Sequence, residues 1–223
     1  MSRFFEAAFF DMDGLMVDSE PQWLLSEIEI TAEYGYQWLP EDQVACLGGP
    51  LSRVGEYMYE KCHEAKSPQY FTQTLIDVQA SKMRGHTPLM PGAFELVKEL
   101  QGNGVKTGLV SASPRIIVDA VLENIGTDLF PFSISSDDVL RTKPHPDAYL
   151  KAAELTDSKI ENCCIFEDSL TGVNAAKSSG AWLIAVPHLV VVEESERVRS
   201  ISSLEQLNYD LLEQLWQDFT FKI

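Results

Sequence analysis

Short apolar runs alternate with amphipathic helical patterns along most of this chain. The runs predict strands at residues 7–10, 107–110, 132–135, 163–166 and 182–186. Between them, apolar residues recur every three or four positions, which is the spacing of one helix face. Short apolar strands separated by helices are typical of a parallel sheet that is covered on both sides. We therefore expect an α/β fold with a Rossmann-like parallel sheet core and helices on both faces.

One interval lacks strand patterns and predicts helices only. It runs from residue 16 to residue 85, and its first helix carries apolar side chains such as Trp23 and Ile28. We expect residues 1–15 and 86–223 to form the catalytic core and the interval to form an inserted all-helical cap domain. A helical segment beside the strand ends of a sheet is well suited to act as a lid.

The composition and charge disfavour nucleic acids and membranes as partners. The chain has 223 residues and a formal net charge of −17, which disfavours binding to nucleic acid or to an anionic membrane. No apolar stretch approaches the roughly 20 residues of a membrane span, and no signal peptide is evident. The four cysteines lack metal-ligand spacing and are interpreted as reduced thiols. We expect a cytoplasmic monomer without nucleic-acid or membrane partners.

Polar side chains with complementary chemistry follow the predicted strands. Ligands bind outside the carboxyl ends of the strands in an open parallel sheet. The residues at these ends are Asp11, Asp13, Ser111, Glu167 and Asp168, with Lys143 in a loop after the third strand. A single aspartate or serine at such a position is often only a helix cap. Because several strand ends carry carboxylates, a hydroxyl group or a nearby ammonium group, we expect these residues to form one site rather than separate helix caps.

This set of side chains suits phosphate chemistry. Clustered carboxylates repel one another unless a hard cation such as Mg²⁺ lies among them, and that cation also binds phosphate oxygens. Lys143 offers a further positive charge. The Ser111 hydroxyl and the N–H group of Ala112 can donate to phosphate at the start of a helix. No Ser-His-Asp arrangement is visible, so the remaining nucleophile is a carboxylate, and aspartyl-phosphate intermediates are a known route.

Four segments resemble the motifs of the haloacid dehalogenase-like hydrolases, in the family's order. They are DMDG from residue 11, GLVSASP around Ser111, RTKPHPDAY around Lys143 and IFEDSLTG around Glu167 and Asp168. The helical insert resembles the cap of the branch that contains β-phosphoglucomutase and 2-deoxyglucose-6-phosphate phosphatase. Leu15 departs from the threonine or valine that the family often has there.

The resemblance implies a division of roles between two aspartates. Asp11 would be the nucleophile, and Asp13 would be the general acid for the leaving group and then the general base for water. Mg²⁺ would be held by Asp11, the carbonyl group of Asp13 and Asp168. Glu167 would bind the metal directly or through water.

The resemblance also implies where a small phosphate ester would bind. Ser111 and Lys143 would hold the phosphoryl group and act in catalysis, with Gly14 and Ala112 as further substrate-binding positions. Arg53, in a predicted cap loop, has two open interpretations, a surface arginine or a cap residue that contacts the substrate.

Three functions fit these features. The first is a Mg²⁺-dependent phosphatase of small monoesters, with sugar phosphates as the expected substrates. The second is a hexose-phosphate mutase, but mutases of this branch carry a histidine where this chain has Trp23. That tryptophan is interpreted either as a core anchor or as a side chain that packs on a sugar. The third is a phospho-acceptor signalling domain, but such domains are shorter and have no helical insert after the first strand.

Overall fold

The computed structural model describes residues 4–46, 49–187 and 191–220. The strands are β1 (Ala7–Phe10), β2 (Lys106–Val110), β3 (Ser133–Ile134), β4 (Cys163–Glu167), β5 (Trp182–Ala185) and β6 (Val198–Ser200). Within the described residues they form one parallel sheet of 6 strands in the order β3-β2-β1-β4-β5-β6. The helices are α1 (Glu20–Ala32), α2 (Pro40–Cys46), α3 (Leu51–Lys61), α4 (Pro68–Gly85), α5 (Ala93–Gly102), α6 (Arg115–Ile125), α7 (Asp147–Leu155), α8 (Leu170–Ser179) and α9 (Tyr209–Thr220).

Strand β1 is buried in the middle of this sheet. Its side chains alternate between the two faces, so Ala8 and Phe10 join one hydrophobic cluster while Ala7 and Phe9 join the other. Phe10 stacks on Phe166 of the neighbouring strand, with ring centroids 4.5 Å apart. Helices therefore cover both faces, and the predicted α/β fold is confirmed.

The interval between β1 and α5 is helical, as the sequence predicts. Helices α1 to α4 enclose a hydrophobic cluster of their own, which includes Ile30, Met58 and Phe71. Trp23 and Leu51 pack against both this cluster and the larger cluster of the sheet. We propose that these helices form the cap domain, with its limits at residues 16 and 85 as predicted from the sequence.

Helix α1 buries several polar residues and exposes two aliphatic ones, which its apolar spacing did not predict. Its buried side includes Ser26, Glu27 and Thr31, whereas Leu25 and Ile28 are 54% and 40% exposed. Apolar spacing identified the helix correctly, and Ile30 and Trp23 pack inward, but Ile28, which belongs to the predicted pattern, faces outward. No helix in the described ranges is both long enough and apolar enough to cross a membrane.

Candidate active site

The register of the central strands brings two acidic residues together. Phe10 of β1 lies opposite Phe166 of β4, so Asp11 and Glu167, which follow them, lie side by side at the carboxyl edge of the sheet. The backbone N–H of Asp11 donates to the carbonyl oxygen of Phe166, 3.0 Å away. Both carboxylates are buried, and Glu167 is completely inaccessible. The predicted convergence at the strand ends is therefore present for these residues.

Lys143 comes from the loop between β3 and α7 and binds both carboxylates. Its Nζ atom donates to Oδ1 of Asp11 at 2.5 Å and to Oε1 of Glu167 at 2.6 Å. It also donates to the backbone carbonyl oxygen of Val110 at 2.8 Å. An ammonium group has three N–H donors, so these contacts use all of them and fix its position.

Tyr149 of α7 contributes to this network, although the sequence predicted no role for it beyond its place at the end of the RTKPHPDAY motif. Its hydroxyl group donates to Oε1 of Glu167 at 2.5 Å, and its ring centroid is 4.9 Å from Nζ of Lys143. The Ser169 hydroxyl donates to the other oxygen of Glu167 at 3.3 Å. Both oxygens of Glu167 therefore accept hydrogen bonds from protein side chains.

Three carboxylates form a group that could hold a metal ion. One oxygen atom from each of Asp11, Glu167 and Asp168 lies within 4.8 Å of the others. Oδ1 of Asp168 is buried and has no hydrogen-bond partner among the described residues. Gly14 has a positive φ of 78°, and a Cβ atom there would lie 2.3 Å from Oδ2 of Asp168. The Gly14 N–H donates to the Val17 carbonyl oxygen at 2.9 Å. The structural reason for glycine here is therefore that the missing Cβ leaves room for the Asp168 carboxylate.

Electrostatics favour a divalent cation at this group. In their ionised forms, Asp11, Glu167 and Asp168 would exceed the charge of the Lys143 ammonium group by two negative charges, in a place where Asp11 and Glu167 are buried and Asp168 is partly buried. Burial, and then the charge of Glu167, raise the pKa of Asp11 above its ordinary value, although Lys143 opposes the shift. Burial, and then the charge of Asp11, raise the pKa of Asp168 well above its ordinary value. The all-oxygen donor set and the excess charge both fit Mg²⁺.

Asp13 has partners that differ from those of Asp11. The indole N–H of Trp23 donates to its Oδ1 at 3.2 Å, and the hydroxyl of Ser113 donates to its Oδ2 at 2.8 Å. Trp23 therefore reaches from α1 to the candidate site, besides its packing against both hydrophobic clusters. Ser113 has no role predicted from the sequence, and nothing in the local pattern indicated this contact.

The other predicted substrate-binding residues lie in two places. Ser111 follows β2, and its hydroxyl oxygen accepts from the backbone N–H of Ser113 at 3.0 Å. Ala112 is exposed in the same turn, before α6. Arg53 lies on helix α3, so its prediction in a cap loop is wrong, and its Nη2 atom donates to the carbonyl oxygen of Cys46 at 3.3 Å. A contact between Arg53 and a substrate stays a prediction.

Comparisons with known proteins agree with the fold and the motifs. Residues 8–186 match the family model of the haloacid dehalogenase-like hydrolases. Hexitol phosphatase B of Escherichia coli K12 is 32% identical over 184 residues, which cover 81% of this chain and 83% of that protein.

Two solved structures share the architecture over nearly the whole chain. β-Phosphoglucomutase from Clostridium difficile superposes with a TM-score of 0.81 at 21% identity, covering 97% of this chain and 99% of the other. A mutant of CbbY from Rhodobacter sphaeroides in complex with xylulose-1,5-bisphosphate gives a TM-score of 0.77 at 23% identity, covering 92% and 96%. These structural likenesses establish a common fold, and the family model establishes membership. The chain belongs to the haloacid dehalogenase-like hydrolase family.

Proposed function

We propose that this protein is a Mg²⁺-dependent phosphatase that hydrolyses small phosphate monoesters, sugar phosphates among them, through an aspartyl-phosphate intermediate on Asp11. The observation that carries the proposal is the contact of buried Asp11 with buried Lys143 beside the partly buried Asp168, with Asp13 held nearby by other donors. Membership of a hydrolase family and similarity to a protein named hexitol phosphatase B support a phosphoric monoester as the substrate.

Lys143 and Ser111 would bind the phosphoryl group. Lys143 presents a buried positive charge beside Asp11, and a phosphate oxygen would replace one of its present acceptors. The Ser111 oxygen accepts from the backbone, which leaves its hydrogen available to a second phosphate oxygen. The N–H of Ala112, in the turn before α6, would be a third donor.

The reaction would proceed in two displacements. Lys143 binds Oδ1 of Asp11, so Oδ2 would attack phosphorus while the ester P–O bond breaks and Asp13 gives a proton to the leaving alcohol. Asp13 would then take a proton from water, which attacks phosphorus, breaks the acyl phosphate bond and restores the Asp11 carboxylate. Trp23 and Ser113 orient Asp13 for both proton transfers.

Mg²⁺ would be held by Asp11, Asp168 and the carbonyl group of Asp13, where it would neutralise the excess negative charge and attract the phosphate oxygens. Glu167 would contact it through water, because both of its oxygens already accept hydrogen bonds from Lys143, Tyr149 and Ser169. The expectations of a monomer, of a cytoplasmic location and of no nucleic-acid or membrane partner stay predictions.

Mg²⁺ should stabilise the folded protein measurably. Binding to the native state alone adds about 2.7 kcal/mol at a free concentration of about 100 times Kd, so Tm in a thermal unfolding scan should rise with Mg²⁺ and fall again with chelator. Asp168→Asn should lose most of this rise, whereas Asp128→Asn, at an exposed position, should keep it. An unchanged Tm of the unsubstituted protein at saturating Mg²⁺ would contradict the metal assignment.

Replacing Asp13 should separate proton transfer from metal binding. Asp13→Asn keeps the backbone carbonyl but removes the proton donor and acceptor, so kcat should fall by about 10²–10⁴-fold while the Mg²⁺-dependent rise in Tm persists. Ser113→Ala, which removes one of the two hydrogen bonds to Asp13, should cost about tenfold. Normal turnover together with lost metal binding in Asp13→Asn would reverse the assigned roles.

Glucose 1-phosphate should distinguish a phosphatase from a mutase. The mutase remains the second candidate, and the contact between Trp23 and Asp13, where mutases carry a histidine, favours the phosphatase. With or without glucose 1,6-bisphosphate as a primer, we expect free phosphate and little glucose 6-phosphate in a coupled assay. Formation of glucose 6-phosphate well in excess of phosphate release would make the mutase the better assignment.

A further inference from the structure

The hydroxyl group of Tyr149 binds a carboxylate that already pairs with a lysine. Tyr149 is completely buried, and its hydroxyl donates to Oε1 of Glu167 at 2.5 Å. The same oxygen accepts from Nζ of Lys143 at 2.6 Å. Packing of α7 against the sheet requires the aromatic ring, but it does not require the hydroxyl group. The second donor on one carboxylate oxygen therefore needs a reason of its own.

Glu167 is held too tightly to follow a moving partner. Its side chain is completely inaccessible, and the Ser169 hydroxyl donates to its Oε2 at 3.3 Å. The carboxylate packs on Gly172 of α8, where a Cβ atom would lie 1.9 Å from Cδ of Glu167. We therefore expect this carboxylate to keep its position when the groups around it rearrange.

Lys143 must exchange a partner before it can bind a phosphate ester. Its three N–H donors are used by Oδ1 of Asp11, Oε1 of Glu167 and the carbonyl oxygen of Val110. Its side chain is only 3% exposed, so little water can reach an acceptor that loses its hydrogen bond. An N–H group that turns to a phosphate oxygen therefore has to leave one of these three acceptors.

Glu167 is the acceptor best able to release this hydrogen bond. When Lys143 turns away, Oε1 of Glu167 keeps the donor from Tyr149, and Oε2 keeps the donor from Ser169. Asp11 is the proposed nucleophile, and its contact with Lys143 fixes Oδ1, so that contact has to persist. A buried carboxylate that loses a hydrogen bond without compensation costs free energy. The Tyr149 hydroxyl supplies this compensation.

We propose that Tyr149 is a positioning residue for phosphoryl binding: its hydroxyl group holds Glu167 while Lys143 turns one N–H donor from Glu167 to a phosphate oxygen. Lys143 then still makes three hydrogen bonds, and Glu167 still has a donor on each oxygen. The Tyr149 ring centroid is 4.9 Å from Nζ of Lys143, within the range of cation–π attraction, so the ring helps to hold the ammonium group during the exchange. This inference rests on the proposed phosphatase function and adds a residue to its phosphoryl site.

A matched arrangement in the helical insert provides a control. Tyr57 donates to Oδ1 of Asp42 at 2.7 Å, Nζ of Lys61 lies 3.1 Å from the same oxygen, and the Tyr57 ring centroid is 5.0 Å from that Nζ. Asp42 is also buried, and it accepts further hydrogen bonds from Tyr36 and from the backbone N–H of Leu39. Tyr57 therefore has the same kinds of contact as Tyr149, at a place without a proposed role in phosphate binding.

The test measures the binding of inorganic phosphate by calorimetry in the presence of Mg²⁺. Tyr149→Phe keeps the ring and removes the hydroxyl group, so phosphate binding would leave Oε1 of Glu167 without a donor. Kd for phosphate should rise by about 10- to 100-fold, the value of a hydrogen bond to a charged group. For glucose 6-phosphate and p-nitrophenyl phosphate alike, kcat/KM should fall by a similar factor, because both esters carry the same phosphoryl group.

Two comparisons separate positioning from folding, at a temperature where all variants are folded. Tyr57→Phe also removes a hydroxyl group from a buried carboxylate, so Tm should fall in both tyrosine variants, whereas Kd for phosphate should rise only in Tyr149→Phe. In a Glu167→Gln background, the neutral amide loses less when a donor leaves. Adding Tyr149→Phe there should change Kd little, since substitutions of residues in contact do not add.

Three results would overturn the inference while the phosphatase function stands. They are an unchanged Kd in Tyr149→Phe, an equal rise in Tyr57→Phe, and the same rise from Tyr149→Phe in the Glu167→Gln background. Absence of phosphate release from every ester by the unsubstituted protein would instead refute the proposed function.

Discussion

The buried contact of Lys143 with Asp11 and Glu167 is the interaction on which the site depends. An isolated charge is costly to bury, and it persists only when opposite charges and hydrogen bonds compensate it. Lys143 meets this condition with two carboxylates and one backbone carbonyl. In their ionised forms these three side chains already carry a formal charge of −1, and Asp168 brings the group to −2. The same arrangement that fixes the lysine therefore leaves an excess of negative charge, which fits the divalent cation of the proposed function.

The fold separates the environments of two aspartates that are only two residues apart. Asp11 lies at the end of β1 against Lys143, whereas Asp13 lies beyond the strand between Trp23 and Ser113. A nucleophile must be held in place, and an acid/base group must be free to exchange a proton. The different partners of Asp11 and Asp13 suit these tasks, and the contact with Trp23 links Asp13 to the helical insert.

The sequence predicted the sheet and most of the site because both follow from local patterns. The carboxyl ends of parallel strands lie at the same edge of the sheet. Asp11 and Glu167 could therefore be predicted to lie near each other before the register was known. The contacts of Tyr149 and Ser113 could not, since they depend on how α7 and the β2–α6 turn pack. Strand β6 (Val198–Ser200) was missed because three residues with a central arginine give no apolar run. The burial of Ser26, Glu27 and Thr31 on α1 was missed because apolar spacing was taken to identify the buried face.

The proposed mechanism requires that Asp11 become phosphorylated during turnover, and the phosphoryl group can be sought on that residue. The protein would be mixed with Mg²⁺ and a sugar phosphate, quenched in acid within the first turnover, digested at low pH and examined by mass spectrometry. We predict a peptide that contains Asp11 and carries one added phosphoryl group, formed as fast as the alcohol is released. Release of alcohol at the full rate without phosphate on Asp11 would contradict the account.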